Sequence, residues 1–296
     1  MRHFLKNIKL HYNIKDYRFS LVILVTILSV FGVFMVRSAR PDLMDRQIMG
    51  VVLGLAAMVV ISLIDYKWVL GLYWPLYGLN LVMLIAVPIF GTEANGAKRW
   101  LNLGFTQFQP SDLTKILMIL FFARFLMDRK EKINSPKTLL QAFALILPSL
   151  ILIYEQPNLS TTICIAALFC ALIFLGGLTY RYILPAIAII VPTVVILLAI
   201  AVQPNQPFLE DYQQKRILAW LDPEEYADDG AYQQLNSVMA IGSGQLSGKG
   251  YNNDETTSVK NGNFVSEPQT DFIFAIIGEE LGFVGCCVVI FLLLLI

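Results

Sequence analysis

The sequence predicts an all-α integral membrane protein, a bundle of about eight transmembrane helices with a long extracytoplasmic loop before the eighth. Three observations predict this fold. Hydrophobic residues make up 56% of the 296 residues and charged residues only 15%, whereas soluble domains carry about 25% charged residues. The apolar residues occur in long runs, and the charges between the runs are distributed unevenly. We treat the whole chain, 1–296, as one membrane domain that contains the large loop 203–270.

Eight apolar runs follow one another along the chain. A helix needs roughly 17–25 residues to cross the hydrocarbon of a bilayer, and the runs lie near or just under this length. They are Phe19–Val36, Ile48–Ile64, Val69–Phe90, Leu113–Met127, Leu139–Tyr154, Thr161–Gly176, Tyr182–Val202 and Phe272–Ile296. A single run of this kind could be a buried helix, but eight in one chain predict a polytopic membrane protein.

The charges between the runs predict the orientation, because Lys and Arg near membrane ends collect on the cytoplasmic side. Basic residues are frequent before the first run and in the connection Asp128–Lys137, and Arg181 stands in the sixth connection. The segment Gln203–Thr270 instead holds ten acidic and four basic residues. We therefore expect a cytoplasmic N-terminus and an outer location for Gln203–Thr270.

Both long outer connections contain signals of local structure. Gly91–Gln109 has turn residues and alternating apolar residues that predict a short hairpin. Pro110 and Asp112 are typical of a helix start. In the second connection, Gln213–Leu221 and Tyr232–Ile241 are candidate helices, and the stretches Gly242–Gly250 and Asn252–Gly262 are expected to be mobile.

Cysteine and histidine provide no catalytic group for the outer face. All four cysteines lie inside apolar runs, so no disulfide framework is predicted. The two histidines, His3 and His11, stand in the N-terminal tail. Chemistry on the outer face must therefore use other residues. The net charge is zero and by itself says nothing about partners; we expect no nucleic-acid partner.

Ionisable residues at membrane depth are costly and mark candidate functional sites. Lys115 lies one turn into the fourth run, Asp271 at the start of the eighth, and Glu279 and Glu280 two to three turns deeper. Each also has a structural interpretation: Lys115 as an interfacial lysine, Asp271 as a helix N-cap, and the glutamates as a pair bonded to neighbouring helices. We expect the Lys115 ammonium group to lie within reach of Asp112 or Asp271 and to face the interior of the bundle.

Five cationic residues are predicted near the outer face, where they could bind an anionic lipid headgroup, because Lys and Arg suit phosphate oxygens. They are Lys98, Arg99, Lys115, Arg216 and Lys249. The alternative is that some are solvated loop charges. The glycines around Gly242–Gly250 are weak evidence for a phosphate-binding loop, because no strand precedes them.

Five segments resemble the RodA/FtsW family of bacterial shape, elongation, division and sporulation proteins, in the family's order. They are GAKRW at Gly96–Trp100, FQPSDLTK at Phe108–Lys115, EQPNLST at Glu155–Thr161, GSGQLSGKG at Gly242–Gly250 and PQTDFIFAIIGEELGFVG at Pro268–Gly285. The last segment is long and specific. Taken with the matching topology and the long outer loop before the eighth run, the resemblance covers most of the chain.

The resemblance implies a glycosyltransferase that polymerises lipid II into glycan strands, with membrane lipids around it and a class B penicillin-binding protein as transpeptidase partner. The family's acid in the TDFIF segment corresponds to Asp271, and Asp112, Glu279 and Glu280 are expected to support the site. The family has ten spans, so we expect this chain, which stops within the eighth, to be partial. Where the family often has an aspartate, this chain has Asn158, and no carboxylate role is transferred there.

The predicted mechanism is inverting transfer on the outer leaflet, with Asp271 as general base and the cations stabilising the pyrophosphate. No dedicated metal site is evident in the sequence, although a divalent cation could assist. The alternative function is a lipid II flippase, which would need a polar path through both leaflets. The ionisable residues are instead predicted to cluster on the outer side, except Glu279 and Glu280, and this distribution favours the enzyme.

Overall fold

The computed structural model describes residues 17–94, 97–102, 104, 107–203, 211–226, 231–262 and 264–296. These residues form eleven α-helices and one small sheet. The helices are α1 Phe19–Ala39, α2 Met44–Ser62, α3 Tyr66–Gly71, α4 Tyr73–Phe90, α5 Pro110–Met127, α6 Pro136–Tyr154, α7 Leu159–Leu175, α8 Tyr180–Ala201, α9 Asp211–Leu221, α10 Tyr232–Ser243 and α11 Ile273–Leu295. The strands are β1 Thr92–Ala94, β2 Ala97–Asn102 and β3 Gln107–Phe108.

Each of the eight apolar runs contains one long helix, which confirms the predicted helical membrane fold. Six helices (α1, α2 with its preceding turn, α4, α6, α8 and α11) are long and apolar enough to cross a membrane. Helix α7 is apolar but has 17 residues, and α5 carries Asp112, Lys115 and Arg124. Helix α8 has a single buried residue, Ala201. A helix that is apolar on every face and buries so little requires a lipid environment.

The chain forms two compact units. The first, unit 1, comprises Met1–Leu63 and Val194–Ile296, and the second, unit 2, comprises Ile64–Thr193. In unit 1, α11 packs against α1 and α10. Their shared core includes Met35, Ile276 and Val289.

The core of unit 2 lies between α4, α5, α6 and α7. The rings of Phe121, Phe122 and Phe125 are fully buried at its centre, and Tyr77 stacks on Phe121 with 4.6 Å between ring centroids. A polar ladder crosses the same helices. The Thr114 hydroxyl donates to Asn80 Oδ1 at 2.7 Å, and Asn80 Nδ2 donates to Ser149 Oγ at 3.2 Å.

The predicted hairpin is confirmed between α4 and α5. Strands β2 and β3 are antiparallel, with Leu101 opposite Phe108, and β1 pairs with the other edge of β2. Gly104, in the connecting turn, has φ +89°, a conformation that glycine adopts without strain. Lys98 and Arg99 both lie on β2, the central strand of this sheet, which precedes α5 in the chain.

Candidate active site

Asp271 stands two residues before α11, in the turn that leads into it. Its side chain is exposed, and its amide N–H donates to Glu267 O at 3.2 Å. The N-cap position belongs to Phe272, so the alternative interpretation of Asp271 as the helix cap is wrong. Within the part of unit 1 that the structure describes, no hydrogen bond or ion pair occupies the Asp271 carboxylate. This carboxylate is therefore free to accept a proton.

Helix α11 is broken at Gly282, where φ is +65° and ψ is −162°. A break leaves backbone carbonyls before it and N–H groups after it without helical partners. The segment Gln245–Gly250 supplies the missing partners. It does so through four backbone bonds: Lys249 N to Glu279 O at 2.9 Å, Gly250 N to Glu280 O at 3.0 Å, Phe283 N to Gln245 O at 2.9 Å and Val284 N to Leu246 O at 3.2 Å.

The glycines of the Gly242–Gly250 stretch allow this close approach of two backbones. A Cβ atom at Gly244 would lie 1.9 Å from Gly278 O, and one at Gly248 would lie 2.1 Å from Glu280 O. The expectation that this stretch is mobile is therefore wrong. Its glycines serve backbone packing against α11, and the N–H groups of Lys249 and Gly250 donate to that helix and are not available to a phosphate.

Glu280 lies at the centre of a buried polar cluster. Lys260 Nζ donates to Glu280 Oε1 at 2.8 Å, and the Ser38 hydroxyl donates to the same oxygen at 2.5 Å. The amide of Asn252 donates to Glu280 Oε2 at 3.1 Å. The Lys260 and Glu280 side chains are 5% and 2% exposed. Sequence reasoning did not identify Lys260 or Ser38 as partners, and no local motif relates them to Glu280.

Glu279 has a separate set of partners. Lys249 Nζ donates to Glu279 Oε1 at 3.0 Å, and the amide of Val259 donates to Oε2 at 2.9 Å. Lys249 also lies 3.9 Å from Glu255. Both glutamates are therefore bonded to polar groups of neighbouring segments, as their structural interpretation predicted. Lys249, predicted to bind phosphate, has its charge compensated by Glu279.

Arg216, the remaining predicted cation of unit 1, lies on α9 with an exposed side chain. In unit 2, Lys115 Nζ lies 2.9 Å from Asp112 Oδ1, one helical turn away on α5. Their side chains are 36% and 61% exposed. The expectation that the Lys115 ammonium reaches Asp112 is confirmed, and its orientation towards the bundle interior stays a prediction.

Lys98 and Arg99 are neighbours on β2 and therefore point to opposite faces of the sheet. Lys98 is exposed. The Arg99 guanidinium donates to two backbone carbonyls, those of Gln156 at 3.1 Å and Pro157. Arg99 therefore ties the sheet to the connection between α6 and α7. There Asn158, which stands where the family often has an aspartate, caps α7 by accepting from Thr161 N at 3.3 Å.

The described residues contain no group of three His, Cys, Asp or Glu side chains that could hold a metal ion. Asp112, in unit 2, is paired with Lys115, and Asp271, in unit 1, is exposed. A single carboxylate can share a cation with substrate phosphates, as Mg²⁺ often does. A divalent cation therefore stays an open prediction.

Comparisons with known proteins agree with these elements. A family profile for FtsW, RodA and SpoVE, described as "Cell cycle protein", matches residues 17–296. The peptidoglycan glycosyltransferase MrdB of Escherichia coli K12 is 34% identical over 279 residues, which are 93% of this chain and 72% of that protein. The probable peptidoglycan glycosyltransferase FtsW of Geobacter metallireducens is 31% identical over 305 residues, 96% of this chain and 76% of that protein.

Two solved structures share the fold. One is described as "Structural coordination of polymerization and crosslinking by a peptidoglycan synthase complex"; it has a TM-score of 0.74 and 30% identity and covers 95% of this chain and 76% of its own. The other is the rod shape determining protein RodA of Thermus thermophilus, with a TM-score of 0.61 and 26% identity over 95% of this chain and 72% of its own.

Proposed function

We propose that this chain, which belongs to the FtsW, RodA and SpoVE family of cell cycle proteins, builds the glycan strands of peptidoglycan from lipid II. Its apolar helices and its relatives make it a multi-pass inner-membrane protein. Its identity to MrdB and FtsW over most of the chain makes it a peptidoglycan glycosyltransferase. Lipid II as the substrate, the outer leaflet as the place of reaction and the roles of single residues form the proposal.

The state of Asp271 carries the mechanism. Three carboxylates stand on or just before α11, and two of them, Glu279 and Glu280, are buried and bonded to lysines. Only Asp271 among these three is exposed. A general base must be accessible and unoccupied to take a proton from substrate, and of these three carboxylates Asp271 meets this condition.

In the proposed reaction, a sugar hydroxyl of one lipid-linked disaccharide attacks the anomeric carbon of another. The new glycosidic C–O bond forms as the bond to undecaprenyl pyrophosphate breaks, with inversion at that carbon. Asp271 accepts the hydroxyl proton, and the electron pair of the broken bond leaves on the pyrophosphate. A well-placed base contributes about 10²–10⁴-fold to such a step.

The leaving pyrophosphate gains negative charge, which cations stabilise. Among the predicted cations, Arg216 and Lys249 are the candidates for this role in unit 1, and Lys98, Arg99 and Lys115 are the candidates in unit 2. Lys98, Arg216 and Lys115 support the assignment best, because their side chains are exposed or partly exposed. Arg99 already donates to two backbone carbonyls, and Lys249 donates to Glu279. Their contribution therefore includes fixing the segments around them.

The orientation and the partner follow from the same proposal. The basic connection Asp128–Lys137 and the N-terminus are assigned to the cytoplasm, and Gln203–Thr270, which carries most of the acidic residues, to the outer side. A class B penicillin-binding protein is the proposed partner. The similar structure of a synthase complex that coordinates polymerization and crosslinking supports a crosslinking partner of this kind.

Two assays on one preparation test the function. The purified full-length protein, with and without its transpeptidase partner, is given lipid II, and glycan strands are separated by electrophoresis. In parallel, translocation of lipid II is measured in vesicles. The proposal expects glycan strands of increasing length. Translocation without any polymer, even with the partner present, would identify a transporter instead.

A further inference from the structure

We propose that unit 2 binds an anionic phospholipid through a basic cavity at the junction of α5 and α6. The cavity has a volume of about 820 Å³ and opens where α5 ends and α6 begins. Four cationic side chains line it, those of Arg129, Lys130, Lys132 and Lys137, together with Asp128 and Glu131. This site is separate from the residues assigned to glycosyl transfer, and the inference does not depend on that reaction.

The charge balance of the cavity favours an anion. Asp128 forms an ion pair with Arg124 at 3.0 Å, so its charge is already compensated. Glu131 is then the only lining carboxylate left to face four cations. Across the described part of the chain, no carboxylate lies within ion-pair distance of these four. Their charges are available to a ligand, and phosphate is the anion that Arg and Lys most often bind.

Arg129 is fixed within the cavity wall. Its guanidinium carbon lies 3.9 Å from the centroid of the Phe125 ring, and its Nη1 donates to Phe125 O at 3.4 Å. The side chain is partly buried. These contacts orient the guanidinium before any ligand arrives, whereas the charges of a solvated loop would have no such fixed direction.

An apolar groove adjoins the cavity and selects the kind of anion. The groove has a volume of about 280 Å³, lies between α5 and α7, and shares Met127 and Lys130 with the cavity. Its other walls include Ala123, Leu126 and Leu172. A ligand that fills both spaces has a negative headgroup and a hydrocarbon chain. Basic pockets between membrane helices on the cytoplasmic side bind anionic lipid headgroups in this way, and this end of α5 is the predicted cytoplasmic end.

The experiment measures lipid retained by the purified full-length protein in detergent, by native mass spectrometry. Phosphatidylglycerol and zwitterionic phosphatidylcholine are titrated against the unmodified protein, the double variant Lys132→Gln/Lys137→Gln and the control Lys67→Gln/Arg181→Gln. The control removes the same charge from exposed residues of unit 2 that lie outside the cavity lining. A third variant, Ala123→Phe, fills the groove. Thermal unfolding of each variant verifies that it is folded.

We expect the unmodified protein to prefer phosphatidylglycerol. Each lysine removed should weaken its binding about fivefold, and the pair about 25-fold, with the control unchanged. Ala123→Phe should weaken the binding of phosphatidylglycerol but leave that of glycerol phosphate, the soluble headgroup, unchanged. Equal retention of the two lipids by the unmodified protein, or undiminished retention by the lysine variant, would overturn the proposal.

Two competitors distinguish other anions. Displacement of phosphatidylglycerol by glycerol phosphate at comparable concentration would assign the cavity to a soluble anion and contradict the lipid. Displacement by undecaprenyl pyrophosphate, with much tighter binding than phosphatidylglycerol, would assign it to a polyprenyl carrier and also contradict the proposal. If the lysine variant does not fold, the comparison of the two lipids on the unmodified protein decides.

Discussion

Lys260 donates to Glu280 at 2.8 Å in a site where both side chains are at least 95% buried. The Ser38 hydroxyl shares the same carboxylate oxygen, so three distant segments of unit 1 meet at one charge. Opposite charges that leave water lose hydration, and only mutual attraction with further hydrogen bonds offsets this loss. The pair therefore holds the segment around Lys260 against α11 only while both partners are present.

Lys260→Met should destabilise the protein by about 3–5 kcal/mol, because it leaves the Glu280 charge buried without its cation. The measurement is the free energy of unfolding in detergent. The matched control is Asp42→Asn, which removes an exposed ion pair with Arg40 and should cost less than about 1 kcal/mol. Restoration of most of the loss by adding Glu280→Gln would support the pairing, and an equal cost for both single variants would contradict it.

Gly248→Ala should destabilise unit 1 by at least about 2 kcal/mol. Gly248 has φ +79°, and an added Cβ would lie 2.1 Å from Glu280 O, a backbone atom. The left-handed conformation alone costs an L-residue about 1–2 kcal/mol. Gly54→Ala in α2, where no heavy atom lies within 4 Å of the added Cβ, is the control and should be neutral or slightly stabilising. Equal melting temperatures for the two variants would show that the glycine contact with α11 is unimportant.

The local signals in the sequence predicted much of this fold. The eight apolar runs, the two helices of the long connection and the hairpin around Leu101 and Phe108 all depend on neighbouring residues. The length of an apolar run, the turn residues and helix-start residues such as Pro110 indicate local secondary structure directly. The position of Asp271 at the beginning of α11 followed from the same pattern.

The contacts of the ionisable residues could not be predicted in the same way. Ser38 and Glu280 are 242 residues apart, and nothing near either residue indicates the other. The glycines between Gly242 and Gly250 suggested mobility by composition, but they fit the backbone of a broken helix, a tertiary feature. Asp112 was predicted as a partner of Lys115 because a lysine inside a span requires an anionic partner or an aqueous cavity.

Lys115→Gln should lower kcat/KM for lipid II by about 10–100-fold, because a hydrogen bond to a charged group contributes about 1.5–3 kcal/mol. Polymerisation is measured over a range of lipid II concentrations. Lys67→Gln, which removes an exposed charge from α3, is the control and should leave kcat/KM unchanged. An unaltered kcat/KM for the Lys115 variant would remove this lysine from the substrate site.

The orientation can be tested by cysteine labelling in intact cells, in a background without the four native cysteines. Thr256→Cys and Glu131→Cys suit the test, because both positions are exposed. A membrane-impermeant maleimide should label Thr256→Cys from outside and label Glu131→Cys only after the cells are opened. The reverse pattern would place the N-terminus outside.

The polymerisation rate of Asp271→Asn tests the central claim most directly. Asparagine keeps the size and much of the hydrogen-bonding capacity of aspartate but cannot accept the proton. The account predicts that the full-length variant folds, inserts and binds lipid II like the unmodified protein, while glycan polymerisation falls by about two to four powers of ten. Unimpaired polymerisation by the asparagine variant, measured with the same partner and the same lipid II, would contradict Asp271 as the general base.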